Sequence, residues 1–295
     1  MKILVTGGSG QVGYELQRQL CILGEVHAPN RAELDLTDAT AVDKWLGGHQ
    51  PELIINAAAY TAVDKAEEEP ELARRLNAEL PAQFAEYSAM RGQWLVHYSS
   101  DYVYPGSGET PWQEGDGTGP ISVYGQTKLE GDEAVQQSGC AHLIFRTSWV
   151  YSARGHNFMK TMLRLARERE ALRIVGDQIG VPTTARLIAE VTLLAVKQRG
   201  EGRLEPGLYH LAPRGETNWH GFAQAIFRHA EALGETLQVK PDQVVSIATA
   251  NYPTPARRPL NSRLSLEKVE QALGITLPNW ESQLQLTLAE LLEDA

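Results

Sequence analysis

The sequence predicts an α/β protein: a doubly wound parallel sheet in the first half, followed by a smaller mixed α/β domain. Three observations predict it. Short apolar segments of strand length alternate with segments of helical period up to about residue 150. The first strand runs into the first helix through a glycine-rich turn, "TGGSGQVG". After Tyr151 the alternation loosens.

The elements follow in order. "KILVT" is short, apolar and partly β-branched, as a buried strand requires. From Gln11 a helical period sets in, with Val12, Leu16, Leu20 and Leu23 on one face. "EVHAPN", "PELIINAAAY", "QWLVHYSS" and "AHLIFRTSWVY" read as strands two to five, with helices such as 70–91 and 123–137 between them. Beyond them, "NFMKTMLRLARERE" is an amphipathic helix and "LRIVGDQIGVPTT" a strand followed by a loop. "TARLIAEVTLLAVKQ" is a helix, "GLYHLA" a strand and "NWHGFAQAIFRHAEALG" a helix. "YPTPARRPLNSRLS" is irregular, and one last helix closes the chain. Residues 1–150 are expected to form one domain. Residues 151–295 form mainly a second, with some segments returning to the first.

The chain has 295 residues and a formal net charge of −10. With no lysine- or arginine-rich run, that balance argues against nucleic acid or an anionic membrane as partner. No apolar run reaches the length of a membrane span, and "MKILVTGG" is too short for a secretory signal. Cys21 and Cys140 lack metal-ligand spacing and suit a reducing cytoplasm.

In the turn, Gly8, Gly10 and Gly13 fit G-x-G-x-x-G, and Gly7, Gly10 and Gly13 fit G-x-x-G-x-x-G. Glycines let the backbone approach a pyrophosphate that rests on the helix N-terminus. A tight turn without ligand would use the same residues. Its place at the first strand–helix junction favours a dinucleotide, and with it a Rossmann-type domain. At the end of the second strand, where an acid usually holds the ribose of NAD, stand Asn30 and Arg31. Arg31 either pairs with a 2′-phosphate, favouring NADPH over NADH, or is an exposed loop charge. Asp35 either approaches the adenine or caps the next helix, since "DLTD" is a helix-start signal.

"YGQTK" places Tyr124 and Lys128 four residues apart, on one face of the predicted helix. A free phenol has a pKa near ~10, and a nearby ammonium lowers it toward usable acid–base chemistry. Alone, the spacing is common on solvated helices. Here "VHYSSDYVYPG" precedes it, placing Ser99, Ser100 and Asp101 at the carboxyl end of a parallel strand, where such sheets bind ligands. A serine hydroxyl there can bond a substrate carbonyl oxygen.

Phosphate turn, strand-end serine and Y-x-x-x-K in this order resemble the extended short-chain dehydrogenase/reductase superfamily. "INAAAYTAVDKAEEEPELA", "VHYSSDYVYPG", "VYGQTKLEG", "FRTSWVY" and "YPTPARRPLNSRL" narrow the resemblance, over nearly the whole chain, to the dTDP-4-dehydrorhamnose reductase family. The resemblance implies NADPH-dependent reduction, with NADH as alternative cofactor, of the C4 keto group of a nucleotide-linked deoxysugar. Tyr124 would give the proton, Lys128 would lower its pKa and hold the nicotinamide ribose, and Ser100 would bond the keto oxygen. Gly7, Gly10, Gln11 and Val12 would cradle the pyrophosphate. Asp35 and Leu36 would flank the adenine, and Ala57, Ala58 and Ala59 would pass under the cofactor. Thr61, Val63, Asp101, Tyr102 and Trp149 resemble sugar-contacting positions, with ordinary packing at the sheet end as the plainer reading. Arg258 would meet the diphosphate, and Asn157 and Phe158 would help hold the nucleotide. Arg257 and Arg263 read equally as surface charges.

Some family members bridge two subunits through Mg²⁺ held by glutamates. Glu15 is present, but Arg186 stands where such a member carries glutamate, and a cation there opposes metal binding. No metal is expected, and the chain is expected to be a monomer or weak homodimer. Two other readings are a related nucleotide-sugar reductase or 4-epimerase, and a non-catalytic regulatory subunit.

Overall fold

A computed structural model of the chain describes residues 1–293. Its centre is a parallel sheet. The strands are β1 (Lys2–Thr6), β2 (Glu25–His27), β3 (Leu53–Asn56), β4 (Trp94–Ser100) and β5 (Ala141–Thr147). Gly207–His210 adds a sixth strand beside β5, giving the order β2–β1–β3–β4–β5 and then this strand. Between the strands lie α1 (Gln11–Leu20), α2 (Ala39–His49), α3 (Val63–Ala66), α4 (Pro70–Arg74), α5 (Leu80–Arg91) and α6 (Val123–Gln137).

Strand periodicity explains why both faces are covered. Ile3, Val5, Leu53, Ile55, Val96, Leu143 and Phe145 pack with Leu16 and Leu20 on one side. The alternate residues Leu4, Ile54, Leu95 and Ile144 pack with Val42, Leu46, Phe84 and Val135 on the other. Because every pairing in this sheet is parallel, Thr6, Asn56, Ser100 and Thr147 all fall at one edge.

Beyond β5 come β6 (Val150–Tyr151), α7 (Phe158–Glu168), β7 (Leu172–Val175), β8 (Ile179–Gly180), β9 (Thr183–Thr184) and α8 (Ala185–Gly200). The sixth sheet strand, β10, is followed by β11 (Thr217–Asn218), α9 (Trp219–Ala232), β12 (Val244–Ile247), α10 (Glu267–Leu273) and α11 (Trp280–Glu293). Helices α7, α9 and α11 enclose a second core of Met159, Met162, Phe222, Ile226, Phe227, Trp280 and Leu284. Helix α8 returns to the first core with Leu187, Ile188 and Val191.

Several expectations need correction. "AHLIFRTSWVY" is two strands, broken at Trp149, whose φ is 45°. "LRIVGDQIGVPTT" holds three short strands, because each finds a partner distant in sequence. Residues 70–91 are interrupted by a π-helical turn at Arg75–Glu79. The last helix is two, separated after Gly274, which caps α10 at φ 65°.

Candidate active site

The glycine turn is packed so tightly that side chains are excluded from it. Gly7 has φ 66°, and a Cβ there would come 2.8 Å from the Ala57 carbonyl oxygen. A Cβ on Gly13 would come 2.1 Å from the Gly7 oxygen. No side chain caps α1, whose N-cap is Gly10, so its first amides are free for an anion. These features fit the pyrophosphate of a dinucleotide. The half-buried Ala57, Ala58 and Ala59 follow β3 beside the turn, and the Ala58 amide donates to Thr6 Oγ1 at 3.2 Å. Gln11 and Val12, also half-buried, begin α1. Gln11 Oε1 accepts from Asn157 Nδ2 at 2.8 Å and Ser152 Oγ at 3.2 Å.

Arg31 is exposed in the turn after β2. Asp35 does not cap α2. Its carboxylate accepts from the Thr37 hydroxyl at 2.7 Å and amide at 3.0 Å, which holds its pKa below the ordinary value. Asp38 is the cap, accepting from the Ala41 amide at 3.1 Å. Leu36 packs half-buried beside them.

Ser100, Tyr124 and Lys128 meet at the carboxyl edge of β4. Ser122 caps α6 by accepting from the Gly125 amide at 3.2 Å, which places Tyr124 in the first turn. The Tyr124 ring meets Tyr102 edge-on, 5.5 Å between centroids. Ser100 Oγ accepts from the Tyr102 amide at 3.2 Å and donates to Asp101 Oδ1 at 3.0 Å. Lys128 is buried; its Nζ donates to the Tyr98 carbonyl at 2.6 Å and lies 3.5 Å from His97 Nε2.

Burial dominates the electrostatics. It pushes Tyr124 up to about 12, with the Ser100 hydroxyl working the other way. It pulls Lys128 down to about 8, opposed by Asp132. The expected lowering of the phenol by the ammonium is therefore not found. Lys128 is engaged by Tyr98 and His97 instead, and desolvation of the phenolate outweighs other influences. Burial also raises Asp101 to about 6, and its Oδ2 has no hydrogen-bond partner among the described residues.

A cleft of about 640 Å³ brings together Thr61, Val63, Asn157, Phe158 and Arg258. Asn157 caps α7, with Phe158 its first residue. Arg258 reaches Asp64 through two bonds, of 3.0 and 2.8 Å, and Thr254 Oγ1 at 2.6 Å. Asp101 and Tyr102 begin the turn after β4, and half-buried Trp149 follows β5. Arg257 is exposed, and Arg263 pairs with Glu216. Glu15 lies 3.6 Å from Arg186, which also binds Glu290 at 2.7 Å. A guanidinium already pairs with these carboxylates, an arrangement that does not fit a divalent cation.

Sequence reasoning missed three groups. Asp64 lies one residue beyond Val63 and engages Arg258. Asn77, in the π turn, accepts from the Tyr60 amide at 2.8 Å and donates to Thr127 Oγ1 at 3.2 Å, tying the alanine loop to α6. The third is a buried chain beneath Lys128. His97 lies 3.9 Å from Asp132, which accepts from Arg146 Nε at 2.9 Å. Arg146 donates to Tyr104 at 2.8 Å, and Tyr104 contacts His210 at 2.7 Å. The available signal was His97 and Arg146 inside the mostly apolar middle of two strands.

The family described as "RmlD substrate binding domain" matches residues 1–293. A dTDP-4-dehydrorhamnose reductase of Shigella flexneri is 46% identical, covering 99% of this chain and 98% of its own. The enzyme of that name from Escherichia coli K12 is 45% identical with the same coverage. Among solved structures, a dTDP-4-dehydrorhamnose reductase of Clostridium acetobutylicum superposes with a TM-score of 0.91 at 36% identity, covering 99% of this chain and all of that one. One from Bacillus anthracis, in complex with NADP, gives 0.87 at 32% identity over 98% of this chain and 99% of its own. On sequence, fold and site together, the chain belongs to the dTDP-4-dehydrorhamnose reductase family.

Proposed function

We propose that the chain reduces the C4 keto group of dTDP-4-dehydro-β-L-rhamnose with NADPH, giving dTDP-L-rhamnose, a precursor of O-antigen and cell-wall polysaccharide. The observation that carries this reading is the convergence of Ser100, Tyr124 and Lys128 at one sheet edge, in a chain matched end to end by reductases of that name. Bound NADPH supplies the hydride to C4. Tyr124 donates the proton to the C4 oxygen; its raised pKa keeps it protonated until negative charge develops beside it. Ser100 hydrogen-bonds the same oxygen. Lys128 holds the nicotinamide ribose and offsets the charge of the phenolate left behind.

Gly7, Gly10, Gln11 and Val12 hold the pyrophosphate, Arg31 a 2′-phosphate, and Asp35 and Leu36 the adenine edge. Ala57, Ala58 and Ala59 admit the cofactor closely because they are small. Thr61, Val63, Asp101, Tyr102 and Trp149 contact the sugar, and Asn157, Phe158 and Arg258 the nucleotide. Residues 1–150 carry the cofactor and 151–295 mainly the nucleotide sugar. The enzyme works in the cytoplasm as a monomer or weak homodimer; no helix among the described residues is long and apolar enough to cross a membrane.

The test mixes purified protein, NADPH and the keto-sugar generated in place by a 3,5-epimerase, and follows NADPH absorbance. Epimerase-dependent oxidation yielding dTDP-L-rhamnose is expected. Oxidation without the epimerase points to a different keto-sugar. No oxidation despite NADPH binding overturns the reading, and NAD(H) retained through purification points to a 4-epimerase.

A further inference from the structure

Trp149 is held in a backbone conformation that bulky residues rarely adopt. Apart from Gln50, which caps α2, it is the only described non-glycine residue with positive φ. Such an outlier persists where its surroundings over-determine it. Ser148 Oγ donates to the Val181 carbonyl at 2.8 Å, and the Thr183 amide donates to the Trp149 carbonyl at 3.3 Å. The Trp149 indole lies face to face with Trp219, with centroids 3.8 Å apart and planes at 16°. Gly180 closes its edge, where a Cβ would come 2.8 Å from Cζ2 of the indole.

Trp219 is fixed in turn. It is the first residue of α9, behind the Asn218 cap, and its Nε1 donates to Gln178 Oε1 at 3.0 Å. Phe158 packs against it, 4.7 Å between centroids. The strand before it, β11, pairs with β8 through Thr217 and Gly180. One short ribbon therefore supplies both the stacking partner and the clearance at the indole edge.

We propose that Trp219 and Gly180 are positioning residues that fix the plane of the Trp149 indole, and that this flat apolar surface selects a nucleotide sugar presenting C–H groups and a methyl toward it, as a 6-deoxyhexose does. A sugar hydroxyl pressed on the indole would lose water without gaining a partner, whereas C–H groups gain contact. The proposal rests on Trp149 touching the sugar, as read above.

The test compares Trp219→Leu, Trp219→Phe, Gly180→Ala and Trp149→Leu with the parent enzyme, using 4-keto nucleotide sugars with a 6-methyl or a 6-hydroxymethyl group. Trp219→Leu should raise KM for the 6-deoxy substrate about tenfold while kcat falls less than about threefold. Its preference for the 6-deoxy sugar should fall about fivefold. Trp219→Phe should recover most of the KM, Gly180→Ala should reproduce the defect, and NADPH affinity by fluorescence titration should stay unchanged. The circular-dichroism couplet of the stacked indoles should vanish in both Trp219 variants. If Trp149→Leu raises KM and Trp219→Leu does not, the positioning role is wrong. If neither moves KM, Trp149 does not touch the sugar and the underlying reading fails. Parallel losses of kcat, KM and NADPH binding that Phe does not restore would mean a general structural role and overturn the proposal. Should Trp219→Leu not fold, Gly180→Ala and Trp219→Phe carry the same comparison.

Discussion

Replacing Asp132 by asparagine should move the alkaline limb of the pH–rate profile to lower pH. In the proposed mechanism Lys128 is an ammonium that offsets a phenolate, and burial already brings its pKa down to about 8. Asp132 is the charge that resists this fall, one turn further along α6 and, like Lys128, beside His97 Nε2. An opposite charge nearby favours the ammonium, so its loss should lower the Lys128 pKa further. The sign is fixed: the charged form exists below the pKa, so activity is lost as pH rises through it, and Asp132→Asn brings that loss earlier. For a drop of about one pKa unit, the rate near pH ~7 should fall roughly twofold, while near pH ~6 it should approach the parent value. The assay is kcat/KM against pH, with thermal unfolding in parallel, since Arg146 loses its buried partner and breaking such a pair costs about 3–5 kcal/mol. Asp132→Glu, which keeps the charge, should restore the limb. An unchanged alkaline limb in folded Asp132→Asn enzyme would refute the reasoning.

Other outcomes follow from the same geometry. Tyr124→Phe should lower turnover by about 10²–10⁴ with NADPH affinity retained; near-normal turnover would remove Tyr124 as proton donor. Arg31→Ala should weaken NADPH about tenfold and leave NADH unchanged, measured by fluorescence titration; equal effects on both would make Arg31 a plain surface charge. Gly13→Ala should abolish tight cofactor binding and lower stability by about 1–3 kcal/mol, because its Cβ would lie 2.1 Å from the Gly7 oxygen. Parent-like cofactor affinity would show that the turn can yield.

What was legible in the sequence was local. The turn at Gly7 to Gly13 declares itself because glycine at those positions answers to a backbone constraint. Tyr124 and Lys128 declare themselves through helical spacing, and Ser100 through its place after an apolar strand. The chain His97, Asp132, Arg146, Tyr104 and His210 was not legible, because its members come from separate strands, turns and a helix. Periodicity says which side a residue faces, not which distant charge it will meet. The break at Trp149, though not the residue itself, was hidden for a related reason: "FRTSWVY" has the composition of one strand, and only the pairing of Val150 with Thr183 forces the break before it. Asn77 sits in a helical pattern that gives no sign of a π turn.

Gln11 carries a consequence for how the two ligands enter. Its amide begins the helix behind the glycine turn, yet its oxygen accepts from Asn157 and Ser152 on the loop that opens α7. If cofactor and nucleotide sugar bind as proposed, occupancy at one end should bear on order at the other, and thermodynamic linkage makes any such effect mutual. If dTDP tightens NADPH, NADPH must tighten dTDP by the same factor, typically about 5–150-fold when such coupling exists. Titrating each ligand with and without the other, in parent and Gln11→Ala protein, would measure the factor and show whether this one amide carries it.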